Sequence, residues 1–514
     1  MYPHAANIPT FGYPYVRPRP RGTAEGAVVH RTGYLLRMNE LGDVLDGLLS
    51  RSRDAARVPA LSAAAGRAGE VVWADVAHAP WAGSPTPEHA FRIGSVTKPM
   101  VAVAVLRLVA DGEVALAEPI GRHLPDAPAP DATVRQLLTH TSGLQSEFPG
   151  PWWERHGGPT WDELARSGVE QLWDPGERYH YSNPGFAVLG RLVEVVRGST
   201  WDTVLRDELW GPLGMTATGR VPVGPHVTGY AVHPHADLVH HEPVAEYRAA
   251  GPAGEVWSTP SDLVRFGMWL VGGEADRDAG EAVLPLSLRR QMAVPRVVVD
   301  DAGPAGGPWP TAHGLGVRVR QDGAVRTIGH GGSVPGFTSD LRADAVTGDV
   351  VAVCGSSTHG IGGGAGLLAA LRGAAAPTPL PLRGPGDGVG RGLGPAVGMG
   401  AGLGVGPRSG PGAITGTWYW GPFPHVVSID AAGRVDLRSP DGGRGTVFDD
   451  VEGVLRGVEG GYWLGERFEV REAGDGAVAL DVGTFHFTRT PYDPATAVPG
   501  GADPRGWHRP GPTG

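Results

Sequence analysis

The 514-residue sequence predicts an α+β protein: an antiparallel sheet flanked by helices with an all-helical insert, followed by a separate all-β domain. Three observations lead there. Residues 38–373 begin with a helix and a hairpin, continue as helices, and end in strands and a helix, so the sheet draws on both ends of one domain. Residues 374–411 are nearly all Gly, Pro, Ala and Arg, which cannot bury a core and read as a linker. Residues 412–494 hold only short alternating runs between turn residues, the pattern of a small antiparallel sandwich or barrel.

In chain order, residues 1–37 read as a disordered arm, with Arg17, Arg19 and Arg21 spaced by prolines. Between 39 and 53, Leu41, Val44, Leu45, Leu48 and Leu49 recur at helical spacing. Residues 61–65 and 70–76, around Gly66-Arg-Ala-Gly69, form a hairpin pattern. The run 101–109 is apolar on nearly every face, as a helix buried in mid-domain would be. Thr133-Val-Arg-Gln136 has capping-box form, and helices are expected over 184–196, stopped by Gly198, and over 201–210. Another helix starts at Thr259-Pro260 and buries Leu263, Phe266, Trp269 and Leu270. Strands over 315–319, 324–328, 337–343 and 350–354, then a small-residue helix over 362–371, close the first domain.

In the second domain, strands are expected over 415–420, 425–429, 434–437, 462–470, 478–482 and 484–488. Its aromatic groups, Trp418-Tyr-Trp420, Tyr462-Trp463 and Phe485-His-Phe487, read as core, the alternative being a stacking platform for a ligand. Residues 495–514 read as a disordered tail.

Composition excludes some functions. Asp and Glu outnumber Lys and Arg 54 to 44, which argues against nucleic acid as the main partner. The one cysteine, Cys354, lies in Val350-Val-Ala-Val-Cys354 and is expected in the core, with no intramolecular disulfide. No stretch approaches the ~18 to 20 apolar residues of a membrane span. The first 35 residues carry no apolar region of a secretory signal, so a cytoplasmic protein is expected, with Met38 a possible alternative start.

The candidate chemistry centres on Lys98. It is the single lysine of the chain; the other basic residues are arginines, which cannot give up a proton at any working pH. Ser95 stands three residues before it, where the apolar helical run begins, the arrangement of a nucleophilic serine with an amine base. A second stretch, Tyr179-His-Tyr-Ser-Asn-Pro184, places Tyr181 and Asn183 before a helix. A phenol can relay protons and a carboxamide can orient a substrate amide; equally, Asn183 could cap the helix and Tyr181 pack in the core. In the third, Ile328-Gly-His-Gly-Gly-Ser333, His330, Gly331 and Gly332 stand at a strand edge. There glycines admit a ligand backbone and a histidine offers a donor or cation to a carboxylate; a tight glycine turn with a solvated His is the alternative.

These three stretches, in this order, resemble the serine β-lactamase and penicillin-binding-protein family, nearest its class C, DD-peptidase and esterase branch. Its Ser-x-x-Lys, Tyr-x-Asn and Lys-Thr-Gly or His-x-Gly motifs read here Ser95-Val-Thr-Lys98, Tyr181-Ser-Asn183 and His330-Gly-Gly332. Leu137-Leu-Thr-His-Thr-Ser-Gly-Leu144, Trp173-Asp-Pro-Gly-Glu177, Pro212-Leu-Gly-Met215 and Trp257-Ser-Thr-Pro-Ser-Asp-Leu263 also look familial, and the likeness covers about residues 40–372.

The resemblance implies a β-lactamase/transpeptidase-like fold with a lipocalin-like C-terminal appendage. It implies that Ser95 attacks a carbonyl, that Lys98 and Tyr181 move the protons, and that Asn183 orients the acyl side. The backbone amides of Ser95 and Ser333 would hold the oxyanion. No cofactor or metal is implied. Gly331 stands where the family usually has a Thr, and His330 where it has a Lys, so weaker recognition of a substrate carboxylate is expected. That favours an esterase, D-amino-acid peptidase or amidase, or weak β-lactamase acting on a small-molecule ester, amide or D-amino-acid peptide. The alternatives are a DD-carboxypeptidase or true β-lactamase, and a catalytically silent penicillin-binding or sensor protein. His233-Pro-His-Ala-Asp237, in a segment with His226, His240 and His241, is similar to the His-x-His-x-Asp of metallo-hydrolases. The His that should follow the Asp is Leu238, and a solvated loop is expected instead.

Overall fold

The computed structural model describes residues 24–272, 281–299, 311–358, 360–373, 414–440, 445–473, 477–493 and 497–511. The expected linker, 374–411, and the arm up to residue 23 lie outside them. The chain forms two compact units, Met1–Val44 and Leu45–Gly514. The main sheet, the helical insert and the C-terminal domain all belong to the second. Helix α1 (Ala24–Ala56) starts 15 residues before the expected helix, so residues 24–37, read as part of the arm, are helical.

Among the described residues, eight strands make the main antiparallel sheet. They are β1 (Ala60–Arg67), β2 (Glu70–His78), β3 (Val297–Val298), β4 (Thr311–His313), β5 (Arg318–Asp322), β6 (Val325–Val334), β7 (Phe337–Asp344) and β8 (Val350–Gly355). Their order is β2-β1-β8-β7-β6-β5-β4-β3, so the front hairpin joins the back strands through β1 and β8, as expected. Cys354 lies on β8, fully buried. The expected strand at 315–319 begins only at Arg318, because Gly316 turns the chain with φ +74°.

Helix α2 (Thr97–Ala110) runs through the middle of the domain, buried at every position from 97 to 106. Helices α3 (Val134–Leu138) and α4 (Asn183–Arg197) belong to the helical insert. The Thr133–Gln136 capping box forms, and Gly198 ends α4 in the left-handed region. Helix α5 (Pro260–Val271) packs on β1 and β8, and α6 (Gly364–Leu371) on β8.

The C-terminal domain is a nearly closed antiparallel barrel of eight strands among the described residues. These are β9 (Gly416–Trp420), β10 (Phe423–Ile429), β11 (Val435–Arg438), β12 (Gly445–Val451), β13 (Val454–Gly460), β14 (Phe468–Ala473), β15 (Ala477–Val482) and β16 (Phe485–Thr488), in the order β13-β12-β11-β10-β9-β16-β15-β14. Strands β12 and β13 escape the alternation pattern because paired Asp residues and glycines interrupt it. The expected strand over 462–470 starts only at Phe468. Residues 461–467 instead form a turn that closes the barrel, Gly457 N donating to Glu466 O and Gly465 N to Gly457 O (3.0 and 2.8 Å). Trp418, Trp463, Phe485 and Phe487 fill its core, as expected, with Phe448 beside them.

The tail, expected to be disordered, is tied down over 497–511. The fully buried guanidinium of Arg155 pairs with Glu242 and donates to the carbonyls of Pro499 (3.1 Å) and Gly501 (2.6 Å). Tyr492 lies under it, 4.4 Å from ring to guanidinium, and gives its hydroxyl to Glu242. Such contacts join residues hundreds of positions apart and leave no local pattern. Replacing Arg155 by Met leaves the Glu242 carboxylate buried without its cation. The expected cost is about 3–5 kcal/mol, read as a lower midpoint in urea, with new proteolytic cleavage after residue 493. Among the described residues, no helix is long and apolar enough to cross a membrane.

Candidate active site

The short strand Phe91–Arg92 pairs with Trp257–Ser258 and delivers the chain into a 3₁₀ turn, Gly94–Val96, that runs straight into α2. Ser95 stands half-buried at this entrance, and Lys98 lies one turn further on, fully buried. The amine of Lys98 is 3.0 Å from Ser95 Oγ, 2.7 Å from Asn183 Oδ1 and 2.6 Å from the Ala253 carbonyl oxygen. Burial pulls its pKa from the ordinary lysine value down to about 7, against the opposing charges of Glu147 and Glu154 and with help from Arg318.

A neutral amine has two hydrogens and one lone pair. Ala253 O and Asn183 Oδ1 can only accept, so they take both hydrogens, and the lone pair is left for the Ser95 hydroxyl. From the other side, Tyr181 donates its phenol hydrogen to Ser95 Oγ at 2.9 Å. Burial holds the Tyr181 proton more tightly than in a free tyrosine, opposed by Arg318 and the Ser95 contact.

Tyr181 is fixed from behind. His140, from the Leu137–Leu144 stretch, stacks on its ring at 4.3 Å and accepts from Ser182 N through Nδ1. Ser182, not Asn183, caps α4: its hydroxyl oxygen accepts from Gly185 N at 3.1 Å. The Asn183 carboxamide is therefore available to span Lys98 and Glu147, its Nδ2 donating to Glu147 Oε1 at 2.9 Å.

The third stretch lies on β6, at an open edge. Pairing with β5 stops at Gly329, while β7 continues alongside to Val334, so, among the described residues, 330–334 keep a neighbouring strand on one side. Gly332 is forced by proximity: a Cβ there would stand 1.9 Å from the Ile93 carbonyl oxygen, which also accepts from Ser339 Oγ at 2.7 Å. Gly94, at φ +51°, lies so close that its Cβ would be 2.7 Å from Ser333 N. The amide of Ser333 is thus brought to the turn that carries Ser95.

His330 departs from expectation. The strand's alternation turns its ring inward, where it is buried beside Tyr181 (6.1 Å) and His313 (5.8 Å), with Nδ1 on the Gly331 carbonyl. His140, His313 and His330 form a buried row, each with its pKa well below the ordinary histidine value, by burial first and then by nearby cations. Burial favours their neutral forms, and the His330 ring lies inside the fold rather than exposed at the strand edge.

Sequence reasoning missed Glu147, a buried carboxyl that accepts from Asn183 Nδ2, Trp153 Nε1 (2.7 Å) and the hydroxyl of Tyr462. Burial raises its pKa and those three donors oppose the rise. Nothing local marks it as more than one acidic residue in a loop. The histidine-rich segment forms no His-x-His-x-Asp centre. His233 and His235 face Trp507 and Tyr419, and Asp237 is an exposed partner of Arg57. Among the described residues, His241, Asp503 and His508 do bring possible ligand atoms within 4.8 Å of one another, but Arg505 already holds both Asp503 oxygens.

A model of the beta-lactamase family matches residues 45–376, and a model of a domain of unknown function (DUF7586) matches 408–489. Esterase EstB of Burkholderia gladioli is 32% identical over 58% of this chain and 71% of its own length. Penicillin-binding protein 4 of Amycolatopsis lactamdurans is 34% identical over 35% of this chain, and the match spans half of that protein. Among solved structures, a D-stereospecific amidohydrolase from Streptomyces sp. superposes with a TM-score of 0.54 at 25% identity, covering 65% of this chain and 99% of the other.

Proposed function

Because the chain belongs to the beta-lactamase family, we propose that it is a serine hydrolase that cleaves small esters and amides, D-amino-acid derivatives among them, through an acyl-enzyme on Ser95. The observation that carries this is the set of contacts around Lys98. Two acceptors occupy its hydrogens and direct its lone pair at the serine hydroxyl.

In this reading Lys98 takes the Ser95 proton as Oγ attacks the carbonyl carbon. Tyr181, kept neutral, passes its proton to the leaving oxygen or nitrogen and is recharged from Lys98. The tetrahedral oxyanion lies between the amides of Ser95 and Ser333, and the start of α2 adds favourable field. Collapse expels the leaving group and leaves the Ser95 ester. Water activated by the same pair then attacks that ester. Asn183 holds Lys98 in place rather than reaching freely into the substrate space. The open edge of β6 at residues 331–333 receives the substrate's backbone.

The base must be neutral, so kcat/KM is expected to rise with pH through about 7, where Lys98 loses its proton, with unit slope on the acid side. Neutral, inward-facing His330 supports ester and amide substrates over those anchored by a carboxylate. The test is a panel of p-nitrophenyl acetate and butyrate, D-phenylalanine amide, a D-Ala-D-Ala peptide and benzylpenicillin, with intact-mass detection of the acyl adduct. Turnover of the esters and the D-amide ahead of the last two is expected. A wild-type protein that carries no adduct on Ser95 with any of them would falsify the proposal.

A further inference from the structure

Among the described residues, the C-terminal barrel reaches the active site through the turn between β13 and β14. There, residues 461–467 close the barrel and at the same time grip the segment 145–147 of the catalytic domain. Ser146 N donates to Glu466 Oε1 at 3.0 Å, and Ser146 Oγ donates to the Tyr462 carbonyl at 3.0 Å. The Tyr462 hydroxyl donates to Glu147 and stands 3.5 Å from Asn183 Nδ2, and its ring lies 6.2 Å from that of Tyr181. Arg456 on β13 and Arg467 at the end of the turn both pair with Glu170. Gly465 is pressed against the insert, a Cβ there standing 2.5 Å from Leu172 Cδ1.

The same segment, 145–147, is bound on its other side to the Tyr-x-Asn stretch. Ser182 Oγ donates to Gln145 O (2.8 Å), Asn183 N donates to Ser146 O (2.9 Å), and His180 Nε2 pairs with Ser146 Oγ (2.9 Å). A continuous chain of hydrogen bonds therefore runs Tyr462–Glu147–Asn183–Lys98–Ser95. Tyr462 and Glu466 thus set polar groups against the segment that holds the amine, while Trp152 of the catalytic domain packs beside Trp420 and Phe485 of the barrel.

We infer that the turn 461–467 is a working part of the active site, with Tyr462 the positioning residue that orients Glu147 and, through it, Asn183 and Lys98. Tyr462 forms no bond with substrate in this role. It fixes the carboxylate whose charge and acceptor geometry set the Lys98 amine. The inference rests on the serine-hydrolase reading for its consequence in turnover, but not for its consequence at Lys98.

Because Lys98 is the only lysine, protein grown on [¹³Cε]lysine gives one resonance, and its titration reads this amine alone in the full-length chain. The titratable and charged groups around it are Glu147, Glu154, Arg318, Tyr181, whose ring lies 4.9 Å from the amine, and the imidazoles of His140, His313 and His330. Glu147→Gln removes an opposing charge, so the Lys98 midpoint is expected to fall. Tyr462→Phe removes one donor from the carboxylate, which then holds its charge less well, and the midpoint is expected to move the same way by less.

With p-nitrophenyl acetate, Tyr462→Phe is expected to lower kcat by about tenfold or more with KM changed by no more than about twofold, and to move the acid limb of kcat/KM with the midpoint. A Tyr462→Phe protein with the wild-type lysine titration overturns the inference, whatever its turnover. A wild type that never acylates sinks the hydrolase reading and leaves the lysine titration to decide this one.

Discussion

Lys98→Arg is expected to lower kcat/KM for any ester or amide substrate by about 10²- to 10⁴-fold, the range supplied by a positioned general base. The substitution keeps a positive charge and a long side chain, so it isolates what only an amine can do. Guanidinium retains its protons at every working pH and has no lone pair to accept from Ser95. Its planar fork also fits badly where one nitrogen meets Ser95 Oγ, Asn183 Oδ1 and Ala253 O within 3.0 Å in a fully buried space. Lys98→Met, apolar and similar in length, should lose about as much. Near-ultraviolet circular dichroism of both variants would separate a lost base from a disturbed core. Retention of activity within about tenfold by Lys98→Arg would mean that the base lies elsewhere.

Gly332→Ala should rank next, with a loss of about 10²- to 10³-fold in kcat, the effect of removing one oxyanion donor. The added methyl carbon would sit 1.9 Å from Ile93 O and 2.5 Å from Ser339 Oγ, and the first of these is backbone that cannot swing aside. Either β6 or the Ile93–Gly94 turn must retreat. Each carries one of the two amides, Ser333 or Ser95, proposed to meet the oxyanion. Gly331→Ala is the comparison: its methyl would meet Arg320 Nη2 at 3.7 Å and Ser339 O at 3.8 Å, ordinary contact. A much smaller loss is expected there. Equal losses in the two variants, measured as pre-steady-state acylation rates, would show that spacing between β6 and the Ser95 turn is not what matters.

Both predictions begin from residues that the sequence already singled out, because each motif is local. Ser95 and Lys98 share a helical turn whatever the rest of the chain does, and a lone lysine among arginines is visible by counting. The hairpin read at 61–65 and 70–76, the buried α2, the capping box at Thr133 and the strand at 337–343 were legible for the same reason: pattern and turn chemistry lie within a few residues. Local signals failed where a neighbour decided the outcome. Nothing near Asn183 says that Ser182 caps the helix in its place. Nothing near His330 says whether strand alternation points its ring at solvent or at His313 and Tyr181.

What the sequence alone determined is the chemistry on offer: a serine and an amine at helical spacing, a Tyr-x-Asn turn, a glycine-lined strand edge, and a β-domain of short alternating strands. What only the tertiary structure decided is how that chemistry is held. Glu147 and Tyr462 lie 315 residues apart and meet in one buried hydrogen bond. Burial of its surroundings brings the Lys98 pKa down to about 7, and Pro499 and Gly501 of the tail are held by Arg155, far back in the chain. Spacing along a chain specifies partners one turn away. Burial, charge compensation and the closing of a barrel against a distant loop arise only when segments remote in sequence come within 3 Å, and no local pattern records that.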